Sequence, residues 1–201
     1  MENLKNVVVA LVVIFILCFA ATARAQTQGW VEGQGTIAKG DDGGRKVSPT
    51  AALMLQKPMG AGIGGFAFAS VTKGFGQIYA GPTYSPAKWL ELGIGAGLQD
   101  NGQFRTGGYA WTGGGVGYVL ALGEYSREGG WWYKGIAALR PIKPLAIGGY
   151  IQRFAGVGPY VEIKIDNQVL PITLWTSPVM YDQESQEGSR IKSMAGLRAH
   201  F

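Results

Sequence analysis

Polar and apolar positions alternate along most of this chain with a period of two, the spacing of a β-strand. The clearest case is Trp89–Gln99. There Leu90, Leu92, Ile94, Ala96 and Leu98 form one wholly aliphatic face, against Glu91, Gly93, Gly95, Gly97 and Gln99 on the other. The last residues behave alike. Ile191, Ser193, Ala195, Leu197, Ala199 and Phe201 fall on one side, and Arg190, Lys192, Met194, Gly196, Arg198 and His200 on the other. Applied throughout, this pattern predicts strands over Gly29–Lys39, Val47–Lys57, Ala61–Val71, Gly76–Tyr84, Trp89–Gln99, Phe104–Thr112, Val116–Tyr125, Trp131–Leu139, Leu145–Phe154, Tyr160–Asp166, Val169–Trp175 and Arg190–Phe201. That is about twelve strands; merging the weak, glycine-broken pairs gives ten, or eight at the limit.

The segments between strands also alternate. Gly40–Lys46, Val71–Gly74, Asp100–Gln103, Ser126–Gly130, Ala155–Gly158 and Ser177–Gly188 tend to be longer and more polar. Pro58-Met59, Ser85–Lys88, Gly113–Gly115, Arg140–Pro144 and Asn167-Gln168 tend to be shorter. An even count of antiparallel strands with long connections at one end and short turns at the other is the asymmetry of an outer-membrane barrel.

Composition narrows the class. Glycine supplies 33 of 201 residues, and charged residues only 15%, against ~25% in ordinary soluble domains. Each interior glycine costs a helix about 1 kcal/mol relative to alanine, and after residue 25 no apolar run is long enough to span a bilayer as a helix. Within hydrocarbon the backbone is satisfied only in helices and closed barrels. The expected fold is therefore an all-β, up-and-down antiparallel transmembrane barrel. With no internal repeat or linker, residues 26–201 read as one domain.

Residues 1–25, MENLKNVVVALVVIFILCFAATARA, begin with a basic Lys5, continue through an apolar run from Val7 to Ala21, and end in Ala23-Arg24-Ala25. That is the build of a cleaved secretory signal peptide. Leu17 before Cys18 does not fit a lipidation site. Cleavage would remove the single cysteine, and with it disulfide and thiol chemistry. It would also lower the net charge from +5 to +4. The remaining charge is spread without a basic block, so nucleic acid is not an expected partner.

The terminal strand, with Leu197, Ala199 and Phe201 at alternate positions, resembles the closing strand of Gram-negative outer-membrane β-barrel proteins of the small, porin-like kind. The resemblance implies location in the outer membrane after export, contact with its lipids, and recognition of this strand by the barrel-assembly machinery. Ala199 departs from the pattern, because a larger or aromatic residue is common there.

Little in the chain carries covalent chemistry. His200 is the one histidine and has no neighbouring Ser or Asp motif, whereas a general base needs a nucleophile and an orienting group. Gly60–Gly65 (GAGIGG) fits a dinucleotide fingerprint, but a strand follows it where a helix is required. Asp41-Asp42 reads as a solvated loop. No enzyme activity, metal or cofactor is expected.

The remaining signal is charge on the inward faces. Lipid-facing charges cost roughly 2–4 kcal/mol at the bilayer midplane. Glu32, Glu91, Lys134, Glu162, Lys164, Arg190, Lys192 and Arg198 are therefore expected to line the lumen. Two outcomes stay open. The charges could line a narrow channel for small, weakly anionic solutes, or they could pair and plug a closed barrel with a structural or surface-interaction role.

Overall fold

The computed structural model describes residues 27–39, 44–166, 170–182 and 190–201. The predicted signal peptide, Asp41-Asp42, the Asn167-Gln168 turn and much of the loop before the last strand lie outside them. Twelve strands follow in chain order: β1 (Gln28–Lys39), β2 (Arg45–Gly60), β3 (Ile63–Thr72), β4 (Phe75–Ala87), β5 (Leu90–Gln99), β6 (Phe104–Gly114), β7 (Gly117–Ser126), β8 (Gly130–Ile142), β9 (Leu145–Gln152), β10 (Gly156–Ile165), β11 (Ile172–Tyr181) and β12 (Ile191–His200). Each pairs antiparallel with its neighbours in sequence, and β1 pairs with β12, so the sheet closes. The fold is all-β, an up-and-down barrel of twelve strands, which settles the count against ten or eight.

Closure runs through nine residue pairs, from Trp30 opposite His200 to Ala38 opposite Lys192. The ladder extends to the last residue. Gly29 N–H donates to the Phe201 carbonyl (2.9 Å), and Phe201 N–H donates back to Gly29 (3.0 Å). Every backbone group left unpaired in an apolar medium costs several kcal/mol, so this seam is what makes the cylinder compatible with lipid.

Several strands run further than alternation predicts, and proline explains why. The register shifts at five places: between Pro58 and Gly60, Tyr84 and Ala87, Leu139 and Ile142, Val157 and Val161, and Ser177 and Met180. Each interval contains a proline: Pro58, Pro86, Pro141, Pro159 or Pro178. Proline has no N–H for the ladder and is tolerated in sheets at bulges. The chain passes each one in a bulge and continues, where the sequence reading ends the strand. The expected turn at Pro58-Met59 accordingly moves to Gly60–Gly62, whose φ values of 101°, 52° and 74° suit glycine at both flanks.

Alternation also sets what faces in and out. Ile78, Ile94, Leu139, Ile147 and Ile163 point outward and are exposed. Inward, two apolar clusters occupy opposite parts of the wall. One gathers Ile136, Tyr150, Tyr160, Trp175, Met180 and Met194. The other gathers Met54, Phe66, Tyr79 and Tyr109. The glycines of β5 and β12 seat these rings. A Cβ on Gly95 would stand 2.9 Å from the Phe66 ring, and one on Gly196 would stand 2.6 Å from the Trp175 indole.

The barrel interior as candidate functional site

Three charged groups meet inside the barrel. Glu32 on β1 is buried and accepts hydrogen bonds from Arg198 Nε (2.8 Å) and from the Trp175 indole (3.1 Å). Its second oxygen lies 3.5 Å from Lys134 Nζ, on β8. Arg198 is next to Glu32 across the closing seam, so that pairing follows from local register. The Lys134 contact does not. β1 and β8 are five strands apart around the ring, a path of ~24 Å at ~4.8 Å per strand. The Lys134 side chain therefore crosses the interior. Its ammonium lies 5.5 Å from the Tyr150 ring centre and 5.6 Å from that of Trp175, within the range of cation–π attraction.

A second crossing joins β2 to β5 and β6. Gln56 Nε2 donates to Glu91 (2.6 Å) and to the Tyr109 hydroxyl (2.8 Å), and Tyr109 donates to Glu91 (2.7 Å). On β10, Glu162 accepts from Tyr118 (2.7 Å) and Tyr160 (2.8 Å). At the end of the barrel away from the termini, Lys192 donates to Asp182 (2.5 Å) and to the Phe154 carbonyl (2.6 Å), tying β12 to the β9–β10 turn.

Of the eight residues expected to line the lumen, the structure gathers Glu32, Glu91, Lys134, Glu162, Lys192 and Arg198 onto interior networks. Lys164 and Arg190 sit at the rims instead, because each lies at a strand end that opens to solvent. Lys164 is 45% exposed and pairs with Asp166 at 2.9 Å. Arg190 reaches the Tyr181 hydroxyl (3.5 Å) on the exposed surface. His200 faces Thr173 Oγ1 at 3.3 Å.

One interior network escapes the sequence reading. Arg105 on β6 and Glu124 on β7 are buried and paired at 2.5 Å. Tyr79 (3.0 Å) and Gln77 (3.3 Å) also donate to Glu124. Both charged residues lie close to polar loops, where they read as loop charges. The signal was their phase. Phe104, Thr106 and Tyr125 fall on one face, and Arg105, Gly107 and Glu124 on the other.

At the seam, Leu197 is exposed on the outer wall, Ala199 is buried, and Phe201 is half-buried. Ala199 stands between Val31 and Ile172, so there the wall is filled by neighbours and not by a large side chain of its own.

No family model matches the chain, and no curated protein matches it. Among solved structures, three mutant forms of the Rh. blastica porin are similar at 8% identity, each covering 88% of this chain and 99% of its own, with a TM-score of 0.36.

Proposed function

We propose that this chain is an outer-membrane barrel forming a narrow passage for small solutes, constricted where Lys134 crosses to Glu32. The outer wall supports the membrane setting. Phe104, Tyr125, Trp131 and Tyr181 are exposed near one end and Tyr84 and Trp89 near the other. Exposed aliphatic residues such as Ile94, Ile147 and Ile163 lie between them. An apolar band between aromatic girdles is how a barrel matches a bilayer and its two interfaces. Export through residues 1–25 and recognition of Leu197, Ala199 and Phe201 during assembly belong to the same reading.

The Lys134–Glu32 contact carries the constriction. It also weighs against strong anion preference, since Lys134 and Arg198 face Glu32, Lys192 faces Asp182, and Arg105 faces Glu124. A lumen with paired charges focuses little net field. The buried aromatic clusters favour a second reading, a closed barrel. Planar-bilayer recording separates the two. Small discrete steps from the wild-type protein support the passage. Silence over many insertions, together with heat-modifiable migration on a denaturing gel, supports the closed barrel.

A further inference from the structure

The outer wall is not uniform. Over β5–β10 its aliphatic side chains stand exposed, Ile94 at 69% and Leu139 at 71%. Over β1–β3 the outward residues Ile37, Val47 and Ile63 are exposed as well, but a patch formed by Val31, Ala51, Leu53, Ala69 and Val71 is only partly exposed. The reason is size. Alanines at 51 and 69 sit between Val31 and Leu53 on one side and Ile78 and Leu98 on the other, and leave a shallow trough. The trough holds about 370 Å³, is lined mostly by apolar surface with Asp100 at its β5 end, and is bounded by Phe201 at the seam. At ~30 Å³ for a group the size of a water molecule, it has room for roughly a dozen methylene-sized groups.

The same stripe of wall ends in positive charge. Following the outward phase of β2 from Leu53 through Ala51, Pro49 and Val47 leads to Arg45. The outward phase of β1 leads from Val31 through Ile37 to Lys39. Lys39 and Arg45 are directly paired across the two strands, and both are exposed. From Ala51 to Arg45 is six residues, roughly 20 Å of extended chain. The cations thus stand at the end away from the termini, where an anionic lipid headgroup would lie above the apolar band.

We propose that the trough seats an acyl chain of a phosphate-bearing membrane lipid whose headgroup is held by Lys39 and Arg45. The proposal rests on the membrane reading above. A second copy of this chain fits less well in a two-fold arrangement, which sets the same patch on both partners. Concave wall would then face concave wall, with an unfilled space between. A flexible acyl chain conforms to the trough, and the paired cations attract the phosphate charge.

The test is native mass spectrometry of the folded barrel, released from micelles carrying equal phosphatidylglycerol and phosphatidylcholine. The wild-type barrel should retain one phosphatidylglycerol in preference to phosphatidylcholine, by about tenfold. Ala69→Trp, which fills the trough, and the double variant Lys39→Gln/Arg45→Gln should each abolish that preference. Ile147→Trp, on the opposite wall, should leave it intact. Equal retention of both lipids by the wild-type protein overturns the proposal. So does survival of the preference in either variant, or a dimer that Ala69→Trp disrupts. If the protein fails to insert into lipid vesicles at all, the membrane reading itself falls. Insertion without lipid preference defeats only this site.

Discussion

Lys134 on β8 and Glu32 on β1 meet at 3.5 Å, although five strand steps separate them around the wall. Arg198 bonds the same carboxylate from the neighbouring strand. One buried Glu thus holds two cations, one through local register and one across the lumen. Removing the carboxylate alone leaves both cations without it. Glu32→Gln is therefore expected to move the reversal potential in a salt gradient toward anions, and rising ionic strength should weaken the change as screening shortens to ~3 Å at 1 M. Arg190→Gln, at the rim, should leave the potential within error of wild type. A Glu32→Gln channel with wild-type selectivity would mean that this pairing does not govern the permeation path.

The Arg105–Glu124 pair yields a prediction about stability. With side-chain exposures of 7% and 2%, neither group can recover its partner's interaction from bulk water. Truncating one member of a buried pair typically costs about 3–5 kcal/mol, whereas removing both is often far milder. Glu124→Ala should lower the unfolding free energy of the folded barrel, read by urea titration, by that order. Arg105→Ala/Glu124→Ala should recover part of the loss. Losses of the Glu124→Ala and Arg105→Ala single variants that simply sum to the loss of the double variant would show that the pair is energetically uncoupled.

Glycine positions should separate by what they face. Gly196 has the Trp175 indole over it, and an added Cβ would lie 2.6 Å away. Gly33, on the outer phase of β1, has nothing within 4 Å of such a Cβ. Overpacking costs roughly 1–3 kcal/mol, so Gly196→Ala should destabilise by about that much and Gly33→Ala by less than about 0.5 kcal/mol. Denaturant titration followed by Trp fluorescence reads both. Equal effects would mean that the indole moves aside freely.

Phe201 closes the ladder with Gly29 through two backbone bonds. Its deletion should reduce the yield of heat-modifiable, folded barrel several-fold more than shortening residues 183–187. A closing strand must pair on both edges, while loops tolerate change. Comparable yields would place the assembly determinant elsewhere.

How much of this was legible in the sequence differs by element. Alternation in Leu90–Gln99 and Ile191–His200 located strands, and applied along the chain it gave all twelve, because side-chain period is a property of each strand alone. Strand ends at Pro86, Pro141, Pro159 and Pro178 were misplaced. Proline signals a lost hydrogen bond but does not say whether the chain turns or bulges. The phase of Glu32, Lys134 and Arg198 could be read in the same way, but their meeting could not. It depends on ring closure and stagger, which tie together residues more than a hundred positions apart. Lys164 and Arg190 had inward phase and still ended at the rims, since phase says nothing about height along the barrel. Arg105 and Glu124 were hidden by the polar loops beside them.

Conductance of the Lys134→Ala variant tests the central claim most directly. Alanine removes the side chain that crosses the lumen and leaves the wall strand in place, with Arg198 still holding Glu32. In planar bilayers the wild-type protein should give small, discrete steps, and Lys134→Ala should give steps several-fold larger at the same salt and voltage. Unchanged step size would contradict the constriction, and silence from both proteins across many insertions would contradict the passage itself.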